Sequence, residues 1–217
     1  DYSTGQPAIL VEPQRTNLCN YSNNFNPTSS SWTVVGNFSY TPNSEISPEG
    51  ILNANVLTSN SSATCEFRFD SNILSNTTYT LSIFIKKDNV ENRFPEFALD
   101  HNGGTDASCY VQINTKTGDI LKRAGNGTST FSISSFSSNY WRLSISVINV
   151  NNTSARIIIR PAATNVFGTY NPISGSITVY GAQLEAGSNA TSYIPTTTAA
   201  VTRNADNISK TNVLNSS

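Results

Sequence analysis

The chain has 217 residues, of which 37% are hydrophobic and 10% aromatic, so it can bury a core and is not typical of disorder. Thirteen basic and fourteen acidic residues give a net charge of -1, which argues against a nucleic-acid-binding protein. Only 12% of residues are charged, and much of the polarity comes from Ser, Thr and Asn, which disfavour helix interiors. No apolar stretch reaches the roughly 18 residues of a membrane-spanning helix, so no membrane insertion is predicted.

Short runs of alternating apolar and polar residues recur along the chain, and this period of two is typical of strands with one buried face. In the first run Cys65, Phe67 and Phe69 share one face. No segment keeps helical spacing over a dozen residues. We therefore predict an all-β fold, a sandwich of two antiparallel sheets with about eight to eleven strands. The runs cover residues 64–70, 79–86, 109–114, 141–147, 155–160 and 177–185.

The length fits a single sandwich domain over residues 1–203, followed by a polar strap or linker over residues 204–217. The three cysteines, Cys19, Cys65 and Cys109, are odd in number and widely spaced. This spacing does not suit a disulfide framework or a zinc knuckle, so free buried thiols are predicted.

Three segments carry a resemblance to a known family: ILVEPQRTNLCNYSNNF (9–25), NYWRLSISV (139–147) and VYGAQLEAGSNATSYIPTTTAAVTRNAD (179–206). Together they resemble the repeated sandwich module of bacteriophage tail-fibre, tailspike and head-fibre proteins. The resemblance implies a jelly-roll similar to the carbohydrate-binding modules of polysaccharide hydrolases. It also implies a place on the virion surface after assembly in the bacterial cytoplasm, and a homotrimer with other fibre subunits as partners.

A jelly-roll brings its first and last strands together, so the two terminal motifs should be neighbours. Glu12 and Arg15 on one side and Gln183 and Glu185 on the other could then hydrogen-bond across a seam, with an Arg–carboxylate pair fixing the register. We expect these residues to pin the sandwich, and a binding role is the alternative.

Related sugar-binding modules often hold a structural calcium between an acidic residue just after the first-strand Phe and another in the last strand. Here those places carry Asn26 and Gln183. Because calcium prefers carboxylate oxygens, no cofactor is expected, and calcium held by carbonyl oxygens is the alternative.

Protein–sugar recognition combines aromatic faces with planar polar groups that hydrogen-bond hydroxyls. The outward strand positions offer such side chains, and adjoining loops are expected to add more. We predict a concave glycan-binding face drawn from this set, the alternative being that the aromatic residues close the ends of the core. Trp32 and Trp141 are assigned to the core. The candidates are Arg68, Tyr110, Gln112, Arg142 and Tyr180 on strands, together with Lys86, and His101, Asp106 and Tyr140 in loops.

Catalysis is not expected. The single histidine, His101, lies near Asp100 and Asp106, but no G-x-S-x-G elbow, phosphate loop or metal-ligand spacing is present. The sequence thus predicts a non-catalytic fibre module that binds bacterial surface polysaccharide during host recognition. A structural spacer or decoration domain is the alternative, and a capsule depolymerase is a third.

Overall fold

The structure is a computed structural model that describes residues 11–207, and within them it contains β-strands but no helix. No helix in this part of the chain is therefore suited to crossing a membrane. The strands are β1 (Arg15–Asn17), β2 (Thr33–Val35), β3 (Phe38–Ile46), β4 (Leu52–Ser59), β5 (Glu66–Asn72), β6 (Thr78–Lys86), β7 (Phe94–Asn102), β8 (Ala107–Ile113), β9 (Ile120–Ala124), β10 (Ser129–Ser135), β11 (Tyr140–Ile148), β12 (Ser154–Thr164), β13 (Gly175–Ala186) and β14 (Val201–Arg203).

Two six-stranded antiparallel sheets form the body of the protein. Sheet 1 has the strand order β10-β11-β6-β13-β4-β3, and sheet 2 has the order β2-β5-β12-β7-β8-β9. A small third sheet pairs β1 with β14. The predicted all-β jelly-roll sandwich of two antiparallel sheets is confirmed.

The core lies between the inner faces of the two sheets, as the alternating runs predict. Leu81, Ile83 and Ile85 of β6 are fully buried there, and Phe67 of β5 meets them from the other sheet. The three cysteines are free and buried, as expected. This shared burial explains why the alternation is clear in the central strands, since each of them covers one face with the opposite sheet.

The two tryptophans differ in their environment. Trp32 is buried, with its ring centroid 4.7 Å from that of Phe25, as predicted. Trp141 is only half-buried at the end of β11, which corrects its assignment to the core. Its Nε1 donates to the Thr115 carbonyl at 2.8 Å, and the Lys87 ammonium lies 4.1 Å from its ring centroid. The side chain closes one end of the sandwich.

The structure has more strands than the sequence predicts. The alternating runs correspond to β5, β6, β8, β11, β12 and β13. The strands missed are the polar edge strands and the very short strands, together with β4 and β7. The edge strand β10, for example, is STFSISS and buries none of its residues fully. A strand of this kind is defined by its pairing with β11 rather than by its own hydrophobic pattern.

The two terminal motifs lie side by side at a seam between β1 and β13. The Leu18 amide donates to the Leu184 carbonyl at 2.8 Å. Asn17 is fully buried there and makes four hydrogen bonds. Its Nδ2 donates to the carbonyls of Ile194 at 2.8 Å and Ala182 at 3.3 Å, and its Oδ1 accepts from the amides of Cys19 and Leu184, each at 3.0 Å.

The Arg–carboxylate pair at the seam differs from the predicted one. Among the described residues, Arg15 donates only to the neighbouring Gln14 carbonyl, at 3.1 Å, and its guanidinium packs against Gly187. Arg203 pairs with Glu12 instead, because β14 runs alongside β1 and brings it there. Residues 9 and 10 of the first motif, and residues 208–217 of the predicted strap, lie outside the described residues.

Candidate functional site

The residues predicted to bind glycan do not share one surface. Tyr140, Arg142 and Tyr180 lie on the outer face of sheet 1, whereas Arg68, Tyr110 and Gln112 lie on the outer face of sheet 2, on the opposite side of the molecule. Asp106 is exposed in the loop between β7 and β8, as expected, but His101 and Tyr140 are buried strand residues rather than loop residues.

The outer face of sheet 2 carries a closed ion-pair network. Glu66 pairs with Arg68 and with Arg160, whose Nη2 lies 2.6 Å from Glu66 Oε1, and Glu96 pairs with Arg160 and Arg123. Burial alone would raise the pKa of Glu66, but the two arginines outweigh it and hold that pKa below its usual value. Each charged group is already used by a neighbour, so this face is organised for stability rather than for recognising a ligand.

Two of the predicted site residues hold a loop over this network. Gln112 is fully buried, accepts from the Gly168 amide at 2.7 Å and donates to the Thr169 carbonyl. Tyr110 and Tyr170 flank Arg160, whose Cζ lies 5.2 and 4.8 Å from their ring centroids. Burial is the main cause that raises the pKa of Tyr110 to about 12. These residues pack the 165–171 loop onto sheet 2.

His101 is a core residue near the end of β7. It is 1% exposed, lies between Ala155 and Ala107 on the neighbouring strands, and meets the Tyr79 ring edge-to-face at 6.0 Å between centroids. Both ring nitrogens are buried without a hydrogen-bond partner among the described residues. Burial lowers the pKa of His101 to about 4, so the imidazole is neutral in the folded protein at pH 7.

His101 should make the protein acid-labile. Its pKa is about 4 when folded and about 6.5 when unfolded, so the unfolded chain binds the proton first as the pH falls. We expect the free energy of unfolding to fall by up to about 3 kcal/mol between pH 6.5 and pH 4, with no contribution from His101 above that window. Urea unfolding at several pH values measures this. His101→Leu should reduce the change in the free energy of unfolding between pH 6.5 and pH 4. If the two proteins show the same pH dependence, the lowered pKa of His101 is contradicted.

An aromatic cluster lies on the outer face of sheet 1. Arg142, Phe84 and Tyr180 are cross-strand partners in one row across β11, β6 and β13. The Phe84 ring centroid lies 4.8 Å from that of Phe136, 6.1 Å from that of Tyr180 and 6.4 Å from that of Tyr193. The four rings and Arg142 border a cavity of about 210 Å³. Phe136 is 52% exposed, so about half of its surface is open to solvent.

A row of hydroxyl groups continues from this cluster. A second cavity of about 320 Å³ runs over β10 and β11 and shares Arg142 with the first, so the two cavities adjoin at this residue; together they are here called the outer groove. Ser132 pairs with Ser144, and Ser134 pairs with Arg142, which places these side chains on the same face. The hydroxyl end of the groove is bordered by Thr130, Ser132, Ser134, Ser144, Ser146 and Ser188.

The segment after β13 forms one wall of the outer groove. A bulge at Gly181, whose φ is +62°, turns both Tyr180 and Gln183 outward. Glu185 is fully buried and accepts from the amide of Thr191 at 3.1 Å and from Gln183 Nε2 at 2.7 Å. A side chain at position 181 would meet the Tyr193 ring at 3.0 Å, so the glycine lets this wall approach the sheet.

Arg142 is the cation of the outer groove. Its Nη2 donates to Ser82 Oγ at 3.2 Å and to the Thr191 carbonyl, and its Cζ lies 5.1 Å above the Phe84 ring. Burial lowers the pKa of Arg142, while the more distant Glu185 and Glu12 act in the opposite direction. None of the ion pairs among residues 11–207 includes Arg142.

The side chains at the two positions considered for calcium, Asn26 and Gln183, hydrogen-bond to other groups of the protein. Asn26 Oδ1 accepts from the Thr28 amide and hydroxyl at 3.0 and 2.9 Å. Gln183 Nε2 donates to Glu185 Oε2 at 2.7 Å and points toward two carbonyl oxygens, while its Oε1 accepts from the Ile194 amide at 2.6 Å. The Nε2 group of Gln183 is a hydrogen-bond donor, and it therefore lies among the oxygens that would have to coordinate a cation. Among residues 11–207 there is no cluster of three or more His, Cys, Asp or Glu side chains suited to a metal.

Sequence reasoning missed several residues of the outer groove. Phe84 is on the outward side of the run YTLSIFIK, and an outward phenylalanine in a regular strand was the available signal. Phe136 and Tyr193 lie outside the strands, and only the folded chain brings them to Phe84. Two larger cavities, of about 480 and 590 Å³, are bordered by strand ends and loops, but neither combines several aromatic side chains with a row of hydroxyls.

No protein-family model and no curated protein sequence matches the chain. Among solved structures, it is similar to the enzymatically active domain of tailspike protein 4 from bacteriophage CBA120, with a TM-score of 0.48 and 11% identity over 79% of this chain and 21% of that chain. It is also similar to the CBM22-1–GH10 modules of Clostridium thermocellum xylanase 10B, solved with xylohexaose, with a TM-score of 0.46 and 11% identity over 85% of this chain and 30% of that chain. The chain thus spans less than a third of either protein.

Proposed function

We propose that this chain is a non-catalytic module of a bacteriophage fibre and that its outer groove binds a polysaccharide of the bacterial surface. The observation that carries the binding proposal is the pair of cavities that adjoin at Arg142 on one sheet face, one bordered by four aromatic rings and the other by a row of hydroxyls. Aromatic rings stack on the apolar faces of sugar rings, and hydroxyls exchange hydrogen bonds with sugar hydroxyls. The virion location comes from the sequence resemblance.

The chemistry of the groove supports binding without catalysis. Glycoside hydrolysis commonly uses two carboxyl groups that flank the scissile bond. Glu49 is the carboxylate that borders the aromatic cavity, and the hydroxyl cavity has none among the described residues. A viscosity or reducing-end assay on a polysaccharide that the module binds would detect depolymerase activity, and turnover would overturn this part of the proposal.

Phe136→Ala is expected to weaken polysaccharide binding by about tenfold with little change in melting temperature. Phe136 is largely exposed, so its loss removes a stacking surface without opening a core cavity. Isothermal titration of the protein against a panel of bacterial capsular and outer-membrane polysaccharides measures the effect.

Val166→Ala is the matched control for this variant. Val166 is 56% exposed and lies in the loop over sheet 2, so its removal should leave affinity unchanged. If Val166→Ala weakens polysaccharide binding as much as Phe136→Ala does, the outer groove is not the binding site. Absence of binding to every polysaccharide of the panel would count against the glycan-binding function itself.

An assembly role is the second candidate, and exposed apolar side chains at the β3–β4 hairpin favour it. Ile46, Ile51 and Leu52 are each more than half exposed, and Ile46 pairs with Leu52. Such a patch suits a contact with another subunit, including the homotrimer implied by the resemblance. Sedimentation of the free module measures its oligomeric state.

A receptor-binding module should also compete with phage adsorption when added free, whereas a spacer should not.

A further inference from the structure

We infer that the outer groove selects an acidic polysaccharide and that Arg142 pairs with a carboxylate of the bound sugar. This inference rests on the proposed glycan-binding function and names the class of glycan. It begins from the fact that Arg142 is the one cation bordering the hydroxyl end of the groove among the described residues.

Arg142 differs from most arginines of this protein in lacking a carboxylate partner. Of the eight arginines in the chain, six form ion pairs: Arg68, Arg93, Arg123, Arg156, Arg160 and Arg203. Arg142 is half-buried, and its Nε is buried without a partner among residues 11–207. Partial burial of an unpaired cation is unfavourable, so an anion entering the groove would recover part of the lost solvation.

The surroundings of Arg142 suit a carboxylate. Only Nη2 of the guanidinium hydrogen-bonds to described residues, which leaves Nη1 for a ligand. Ser134 is the cross-strand partner of Arg142, and Ser144 lies two residues further along the same face. Hydroxyl donors beside a guanidinium form the charge-assisted hydrogen bonds that carboxylate oxygens prefer.

The nearby acidic groups do not replace such a ligand. Glu185 is fully buried and accepts hydrogen bonds from Thr191 and Gln183, and Glu12 is paired with Arg203. Glu49 borders the aromatic cavity only. The distribution of charge therefore directs the acidic group of a sugar to the hydroxyl end of the groove and its ring toward the aromatic end.

The experiment compares each bound polysaccharide in two forms, native and with its carboxyl groups reduced to primary alcohols. We expect the protein to bind acidic polysaccharides, and carboxyl reduction to weaken binding by about ten- to a hundredfold, as loss of a charged hydrogen bond predicts. Arg142→Gln should bind both forms equally. Arg142→Lys, which keeps the charge, should keep part of the preference.

Arg156→Gln is the matched control because it removes the same charge from the opposite sheet, where Arg156 pairs with exposed Asp70. It should keep the full preference for the native form. Melting curves establish that each variant is folded. Binding that carboxyl reduction leaves unchanged, or a preference that survives in Arg142→Gln, would overturn the acidic-ligand inference and leave the glycan-binding function standing. Failure to bind any polysaccharide in either form would overturn both.

Discussion

Asn17→Ala is expected to destabilise the protein by about 3–5 kcal/mol, because it removes all four hydrogen bonds that the buried side chain makes at the seam. The amides of Cys19 and Leu184 and the carbonyls of Ala182 and Ile194 lose their partner in a site without solvent exposure. For a chain of this size the melting temperature should fall by roughly 8–15 °C. Calorimetry or urea unfolding measures the change.

Asn189→Ala provides the matched comparison. Asn189 is exposed and, within residues 11–207, its side chain hydrogen-bonds only to the Ser188 hydroxyl, at 3.3 Å, so its loss should change stability by less than about 0.5 kcal/mol. A loss of similar size in the two variants would mean that the seam does not depend on Asn17.

Glu96→Gln is expected to cost about 3 kcal/mol or more. Glu96 is 1% exposed and lies between Arg123 and Arg160, with Arg123 Nη2 at 3.0 Å from its Oε1. The amide keeps the shape of the side chain but removes its charge, which leaves Arg160 paired with Glu66 alone and Arg123 without an ion-pair partner among residues 11–207. Chemical unfolding at pH 7 measures the loss.

Asp70→Asn makes the same chemical change at an exposed pair. Asp70 is exposed and Arg156 is half-buried, so the expected cost is below about 1 kcal/mol.

Because the pKa of Glu66 is held below its usual value, the network should contribute fully at neutral pH and lose strength as the pH falls through that lowered pKa. A Glu96→Gln protein as stable as the wild type would show that the network contributes little.

The strands that sequence analysis finds are covered by the opposite sheet along one face, although β4 and β7 are covered in the same way and were missed. In β6 the alternation of Leu81, Ile83 and Ile85 follows directly from that burial. Strands such as β10 and β3 lie at sheet edges, where partial solvent contact relaxes the demand for apolar residues. Their existence depends on a partner strand, so a local pattern does not reveal it.

The candidate site could be predicted only in part. Outward positions of single strands include Arg142 and Tyr180, which border the outer groove, because period-two alternation fixes which side of a strand they occupy. The same rule gave equal weight to Tyr110 and Gln112, which face outward from the other sheet under a loop. Alternation assigns a side chain to a face of its strand but carries no information about which sheet the strand joins.

The sequence by itself determined the all-β class and the core-facing residues of the central strands, because these follow from burial patterns within a few residues, and the number and spacing of the cysteines predicted that they are free. The tertiary structure decided the rest. It placed β6, β11 and β13 side by side, paired Arg203 rather than Arg15 with a carboxylate, and brought Phe136 and Tyr193 to Phe84. These outcomes depend on strand order and register, which are set by contacts between residues far apart in the chain.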